Sequence, residues 1–261
     1  MIAPDKVTLN NESGIGTITL NHAPANAYDI DLLQQLENAV LEANENGEIK
    51  VVMIESALSK FFCAGADIKT FGANDKATNQ ILVQQARSVA EQISQSSKIY
   101  IAAIEGHTLG GGLELAMACD LRFAAEGDYL LGLPEVKLGL IPGNGGTQRL
   151  LRLIGTSQAL DLMATGRSIN PKEALDLGLV DRLIPAARHR EETLAFARSL
   201  AEGPSLAIAA IKRSVNEGAH LSLREGLALE KNLVDPLYDT EDATEGYAAF
   251  TEKRQPQFKG R

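Results

Sequence analysis

Positive charge is scarce in this chain. Its 261 residues carry 25 Lys and Arg against 34 Asp and Glu, a net charge of −9, and the pI is near 5.0. Non-specific nucleic-acid binding needs a basic surface, so nucleic acid is not an expected partner. A local basic cluster can still hold a small anionic ligand. No apolar run approaches the length that spans a bilayer, so no membrane partner is expected either. The start, Met1 to Gly14, lacks the charged-then-apolar pattern of a signal peptide. Cysteine is rare. Cys63 and Cys119 form no CxxC spacing and sit in small, apolar surroundings, as buried free thiols of a cytoplasmic protein do. His22, His107, His189 and His220 have no metal-ligand spacing. Two enzyme signatures are also missing. Gly143-Asn144-Gly145-Gly146-Thr147-Gln148 is not the GxGxxG of a dinucleotide fold, and no GxSxG turn marks a serine hydrolase.

What is present is an ordinary globular composition, 44% hydrophobic and 23% charged, on a chain long enough for a sizeable core. Val7-Thr8-Leu9 and Ile15 to Leu20 read as a hairpin around Asn11-Glu12-Ser13-Gly14. Asp31 to Asn44 has helical spacing, with Leu32, Leu33, Leu36 and Val40 on one face. Val51 to Ile54 and Ile99 to Ile104 read as buried strands, with a helix from Ala77 to Ile93 between them. A helix from Gly111 to Cys119 follows, then strands at Leu121 to Ala124 and Tyr129 to Leu131. From Ser157 the pattern turns helical. Asn170-Pro171 starts a helix with proline at its first position, Gly178 closes it, and Val180 to Ile184 reads as a short strand. Further helices are expected at Arg190 to Glu202, Ser205 to Gly218 and Ser222 to Leu237. No internal repeat is visible by eye. The expectation is an α/β core over residues 1–195 and a helical region over 196–261.

Two turns stand out as chemistry. Leu109-Gly110-Gly111-Gly112-Leu113-Glu114 opens a helix, where backbone N–H groups lack partners and the dipole favours negative charge. For three glycines alone, a plain tight turn is the better reading. Cys63-Ala64-Gly65-Ala66 shifts that weighing, because it is also small and also follows a predicted buried strand. At the carboxyl ends of neighbouring parallel strands, one N–H from each turn could hold a single oxygen. Glu114 and Glu135 each follow a turn. An arbitrary glutamate there is a surface charge. These two have apolar neighbours, Leu113, Leu115 and Ala116 around one and Leu131, Leu133 and Val136 near the other. A partly buried carboxylate with no evident basic neighbour has a motive for a raised pKa and a proton-transfer role.

The same residues carry a family resemblance. Phe62-Cys63-Ala64-Gly65-Ala66-Asp67-Ile68-Lys69, Ile104 to Ala116 and Leu133 to Leu150 resemble, in that order, the signatures of the enoyl-CoA hydratase/isomerase (crotonase) family, and the likeness runs to Phe250-Thr251-Glu252-Lys253-Arg254. The resemblance implies a spiral of ββα units and a C-terminal helical region that trimerises, as a homotrimer or a dimer of trimers. It implies an acyl-CoA substrate and no separate cofactor, coenzyme A being part of the substrate. The oxyanion donors would be the N–H groups of Ala66 and Gly111, and the catalytic acids, as in the hydratase branch, Glu114 and Glu135. Asn26, Ala27 and Ala64 through Asp67, Ile68 and Lys69 would line the CoA site. Gly110, Pro134 and Gly143 would complete the substrate contacts, and Phe250 and Lys253 would reach a neighbour's CoA.

The resemblance implies hydration across the 2,3 double bond of an enoyl-CoA. A Δ3-Δ2 isomerase, or a relative acting on a branched or aromatic acyl-CoA, is the alternative. A catalytically idle CoA- or RNA-binding member is a third reading, against which the acidic balance and intact glutamate pair argue. One segment departs from the family's commoner pattern. Asn21-His22-Ala23-Pro24-Ala25-Asn26-Ala27-Tyr28-Asp29 lacks a basic residue after the proline and has tyrosine, not an aliphatic residue, after Asn-Ala.

Overall fold

The computed structural model describes residues 5–261; Met1 to Pro4, at the start of the segment read for a signal pattern, lie outside them. The chain opens with an antiparallel hairpin, β1 (Val7–Glu12) and β2 (Ile15–Leu20). Pairing runs out to Glu12 opposite Ile15, so the turn is Ser13-Gly14 alone, shorter than the sequence suggests. Helix α1 (Ile30–Glu45) is capped by the Asp29 side chain, which accepts from the Leu32 N–H, and buries Leu32, Leu33, Leu36 and Val40. Then come β3 (Val51–Ser56), β4 (Phe61–Cys63), α2 (Ile68–Ala73) and α3 (Lys76–Gln95). β5 (Ile99–Ile104) and β6 (His107–Leu109) lead into α4 (Gly111–Ala118). β7 (Leu121–Ala125) and β8 (Leu131–Gly132) lead into a 3-10 turn at Glu135–Leu138 and then α5 (Gly146–Ile154) and α6 (Thr156–Thr165).

Two sheets result. The larger has the order β1-β2-β3-β5-β7 with β10 (Arg182–Ile184) at its edge; the smaller has β4-β6-β8 with β9 (Ser168–Ile169) at its edge. Successive strands alternate between the sheets before each helix: β3 then β4, β5 then β6, β7 then β8. This is the ββα spiral that the resemblance implies, a repeat of topology that leaves no visible repeat of sequence. The central strands pair in parallel and are buried on both faces, which is why they read as continuous apolar runs. Alternate residues divide between two cores. Ile18, Val52, Ile54, Ala102 and Ile104 face α1, α3 and α4 in the main core. Ile15, Val51, Ile101, Phe123 and Ile184 face α8 (Ala186–Ala201).

Helix α7 (Pro171–Asp176) begins at Asn170, whose side chain accepts from the Glu173 N–H. Beyond α8 lie α9 (Ser205–Gly218), α10 (Leu223–Val234), a 3-10 turn at Asp235–Asp239 and α11 (Glu241–Glu252). Residue 195 falls inside α8, whose inner face covers the sheet. α9 is tied to the core by the buried Lys212, whose Nζ donates to the Ile93 and Lys98 carbonyls at 3.1 and 2.8 Å and to Asp120 Oδ2 at 2.8 Å. No single helix among the described residues is long and apolar enough to cross a membrane. Both cysteines are free and buried, and burial pushes each thiol up to about 12. The strand expected at Tyr129 to Leu131 is shorter and later, because Tyr129 leaves the ladder and its hydroxyl donates to the Ala125 carbonyl at 2.7 Å.

Candidate active site

The first small-residue turn follows β4 of the smaller sheet, not the buried strand β3 that precedes it in sequence. β4 pairs in parallel with β6, so the turns at Ala64–Asp67 and Gly110–Gly111 leave adjacent strands on the same side. They touch. A Cβ added to Gly65 (φ +79°) would lie 2.7 Å from the Gly111 nitrogen, and one on Gly112 only 2.1 Å from the Cys63 carbonyl oxygen. Only glycine permits that approach at both places.

The contact leaves two N–H groups unused. Gly111 is the first residue of α4, so its N–H has no intrahelical acceptor. Ala66 forms a parallel bridge with Tyr28 through the Gly65 carbonyl and the Asp67 N–H, which turns the N–H of Ala66 to the opposite side. Neither N–H donates to any group among the described residues.

Glu114 sits on α4, 1% exposed. Its Oε1 accepts from the Asn144 N–H at 2.6 Å and the Gly146 N–H at 2.7 Å. It is therefore held at the N-terminus of α5, with Arg149 nearby, whose Nη1 donates to the Asn144 carbonyl at 2.9 Å. Burial pushes its carboxyl above the ordinary range, while the two N–H donors and the charges of Arg149 and Arg87 pull it back. Glu135 starts the 3-10 turn after β8 and is half-buried. Its Oε2 is shielded from solvent with no hydrogen-bond partner among the described residues. Burial raises its carboxyl to about 7; its own backbone N–H opposes that rise and the charge of Glu114 adds to it. A Cβ on Gly110 would lie 3.1 Å from Glu135 Oε1, which places this carboxylate beside the glycine turn. The site thus combines two free N–H groups with two carboxylates of unequal support.

The other expected site residues separate into groups. Gly110 anchors its turn, its N–H donating to the Gly132 carbonyl at 2.9 Å. Pro134 precedes Glu135 at the start of the 3-10 turn. The Gly143 carbonyl accepts from Arg87 Nε at 2.5 Å. Ala27 and Ala64 are half-buried beside the first turn, while Ile68 and Lys69 are exposed at the start of α2. Asp67 caps α2, its side chain accepting from the Lys69 and Thr70 N–H groups. The side chain of Asn26 is wholly buried and spent on structure: Nδ2 donates to Ser56 Oγ and the Phe62 carbonyl, and Oδ1 accepts from the His22 N–H. Phe250, 87% exposed, and Lys253 lie at the end of α11, with no hydrogen bond or ion pair to the two turns. Sequence reasoning missed Asn144, Gly146 and Arg149 as the holders of Glu114. The signal was a glycine-rich turn opening α5, which supplies unpaired N–H groups to an anion.

Such a site can hold one oxygen between two N–H donors and present two carboxyls beside it. The chain belongs to the enoyl-CoA hydratase/isomerase family, whose model matches residues 10–261. It is 40% identical to a probable enoyl-CoA hydratase of Bacillus subtilis, over 97% of this chain and 98% of that one. It is 39% identical to probable enoyl-CoA hydratase 2, mitochondrial, of Arabidopsis thaliana, over 98% of this chain and 87% of the relative. Among solved structures, an enoyl-CoA hydratase from Bacillus anthracis superposes with a TM-score of 0.95 at 38% identity, covering 98% of this chain and 100% of that one.

Proposed function

We propose that this chain hydrates 2,3-enoyl-CoA thioesters to 3-hydroxyacyl-CoA through Ala66, Gly111, Glu114 and Glu135. The observation that carries the reading is the pair of unused N–H groups flanked by two carboxylates whose environments differ. The thioester oxygen accepts from Ala66 and Gly111, so negative charge can build on it as the β-carbon is attacked. Glu114, supported as a carboxylate by two N–H donors and Arg149, takes a proton from water as the water oxygen bonds to the β-carbon. Glu135, which keeps its proton up to about pH 7, gives it to the α-carbon. The two carboxyls then exchange their protons with solvent, and one water has been added. The step is redox-neutral, and these four groups supply each element it needs, so the proposal has no cofactor apart from the CoA carried by the substrate. Isomerisation moves one proton between carbons and leaves no role for a second, water-handling carboxylate, so the pair favours hydration.

The test is the loss of crotonyl-CoA, measured beside longer and branched 2-enoyl-CoAs and a 3-enoyl-CoA across pH. Hydration is expected, with kcat/KM falling as pH rises through about 7, where Glu135 loses its proton. Conversion of the 3-enoyl-CoA without any hydration would overturn the reading in favour of an isomerase.

The same proposal includes a homotrimer or dimer of trimers and a cytoplasmic place of action. Apolar side chains stand exposed along the C-terminal helices: Ile211 and Val215 on α9, Leu223 and Leu227 on α10, Tyr247 and Phe250 on α11. Large apolar side chains left in water favour burial against a second copy. Light scattering at micromolar concentration should give a trimer or hexamer mass. A monomer would remove the assembly and, with it, the idea that Phe250 and Lys253 serve a neighbour's CoA.

A further inference from the structure

Tyr28 lies in the loop between β2 and α1, yet it is 4% exposed. It bonds to both turns of the site. Its main-chain N–H donates to the Gly65 carbonyl at 2.6 Å, and its carbonyl accepts from the Asp67 N–H at 3.3 Å. Its hydroxyl donates to the Gly111 carbonyl at 2.9 Å, across 83 positions of sequence. The ring edge lies where a Gly111 Cβ would project, 2.8 Å away, so the ring packs directly on that residue. We infer that Tyr28 is a positioning residue for the oxyanion hole, holding the turns that carry the Ala66 and Gly111 N–H groups in one geometry. The inference rests on the reading of those two N–H groups given above.

Three physical points support it. The Gly65 carbonyl and the Ala66 N–H are two ends of one peptide unit. A hydrogen bond to the oxygen fixes the plane of that unit and strengthens its N–H as a donor. The hydroxyl acts on the other turn, at the first residue of α4, where the neighbouring peptide orients the Gly111 N–H. Hole donors must be aimed before charge develops, because reorientation during the reaction costs part of their effect. Finally, burial raises the phenol well above its usual range, so it stays a neutral donor wherever the two carboxyls titrate. A residue that only filled the core would need the ring and not the hydroxyl.

Tyr28→Phe keeps the ring and removes the hydroxyl. The measurements are thermal unfolding, kcat and KM on crotonyl-CoA, and the infrared carbonyl stretch of bound butanoyl-CoA carrying ¹³C at the thioester carbon. The expected result is a kcat lower by about tenfold, as for one lost hydrogen bond of ordinary strength, with KM within about twofold, because the hole acts mainly on developing charge. The carbonyl band should also move back toward its position in free butanoyl-CoA. A kcat and band like the wild type, whatever the melting temperature, would overturn the inference. Should Tyr28→Phe fail to fold, 4-aminophenylalanine at position 28 keeps the ring edge against Gly111 and replaces the hydroxyl by a weaker donor. The band should then move part of the way toward its free position, and an unmoved band overturns the inference equally. The two readings fail differently. A wild-type protein that does not bind butanoyl-CoA removes the acyl-CoA reading and this inference with it. A wild type that binds and shifts the band, beside an identical Tyr28→Phe, removes only the role of Tyr28.

Discussion

Glu114→Gln and Glu135→Gln should each lower hydration of crotonyl-CoA by about 100- to 10,000-fold, the usual worth of a positioned acid or base. Both variants should still fold. At position 114 a Gln carbonyl can accept from the Asn144 and Gly146 N–H groups as Oε1 does. At position 135 no hydrogen bond to Oε2 is at stake. The second substitution has a stability signature that separates it from a misfolded one. In the folded state the Glu135 carboxyl is raised from 4.5 to about 7. Stability from such a group is fully present below the unfolded value and is lost as pH rises through the folded one. Glu135→Gln removes that loss. Its melting temperature, relative to wild type, should therefore rise between pH 5 and pH 8.5, by about 2–4 °C per kcal/mol at this chain length. Near-normal turnover by either pure variant would sink the assignment, and a pH-independent difference in melting temperature would sink the burial argument for Glu135.

Much of this site was legible because its parts lie in contiguous motifs. The turns at Cys63–Ala66 and Leu109–Gly112 announced themselves by small residues, and each glutamate followed a turn. The long elements were legible for the same local reason: α1, α3, β3 and β5 carry their own periodicity or apolar run. The smaller sheet was not. β4 and β6 are 3 residues long, and β8 and β9 are 2. Strands so short have no period to read, and pairing with one another is what makes them strands. Helix α5 begins at Gly146 behind Gly145 with no side-chain cap, so its start carried no capping signal. Asp67 did carry one, two residues before the Lys69 N–H that it accepts, but the motif it shares drew attention to ligand contacts instead. The structural bonds of Asn26 were not legible for a related reason. Its side-chain bonds reach Ser56 and Phe62, 30 and 36 positions away, and only the folded chain brings those together.

Gly65→Ala should lower turnover steeply, because it strikes the contact that aligns the donors. Two penalties combine. The backbone at Gly65 has φ +79°, where an L-residue is strained by about 1–2 kcal/mol. The added methyl would lie 2.7 Å from the Gly111 nitrogen and 2.9 Å from the Leu109 carbonyl oxygen. Both are backbone atoms of the opposite turn, so no flexible side chain can yield, and the turns must part or rotate. Either movement takes the Gly111 N–H out of register with that of Ala66. Loss of one such donor lowers kcat by about 100- to 1,000-fold. Affinity for a non-reactive acyl-CoA should change far less, since full charge appears on the oxygen only in the transition state. Gly72→Ala supplies the contrast. Gly72 is exposed on α2 and a methyl there would meet nothing within 4 Å. That variant should gain about 0.5–1 kcal/mol from the helix preference for alanine and keep full turnover. Calorimetric affinity, melting temperature and turnover, taken on both variants, decide the point. A folded Gly65→Ala enzyme with near-wild-type kcat would mean that the two turns do not share one oxygen.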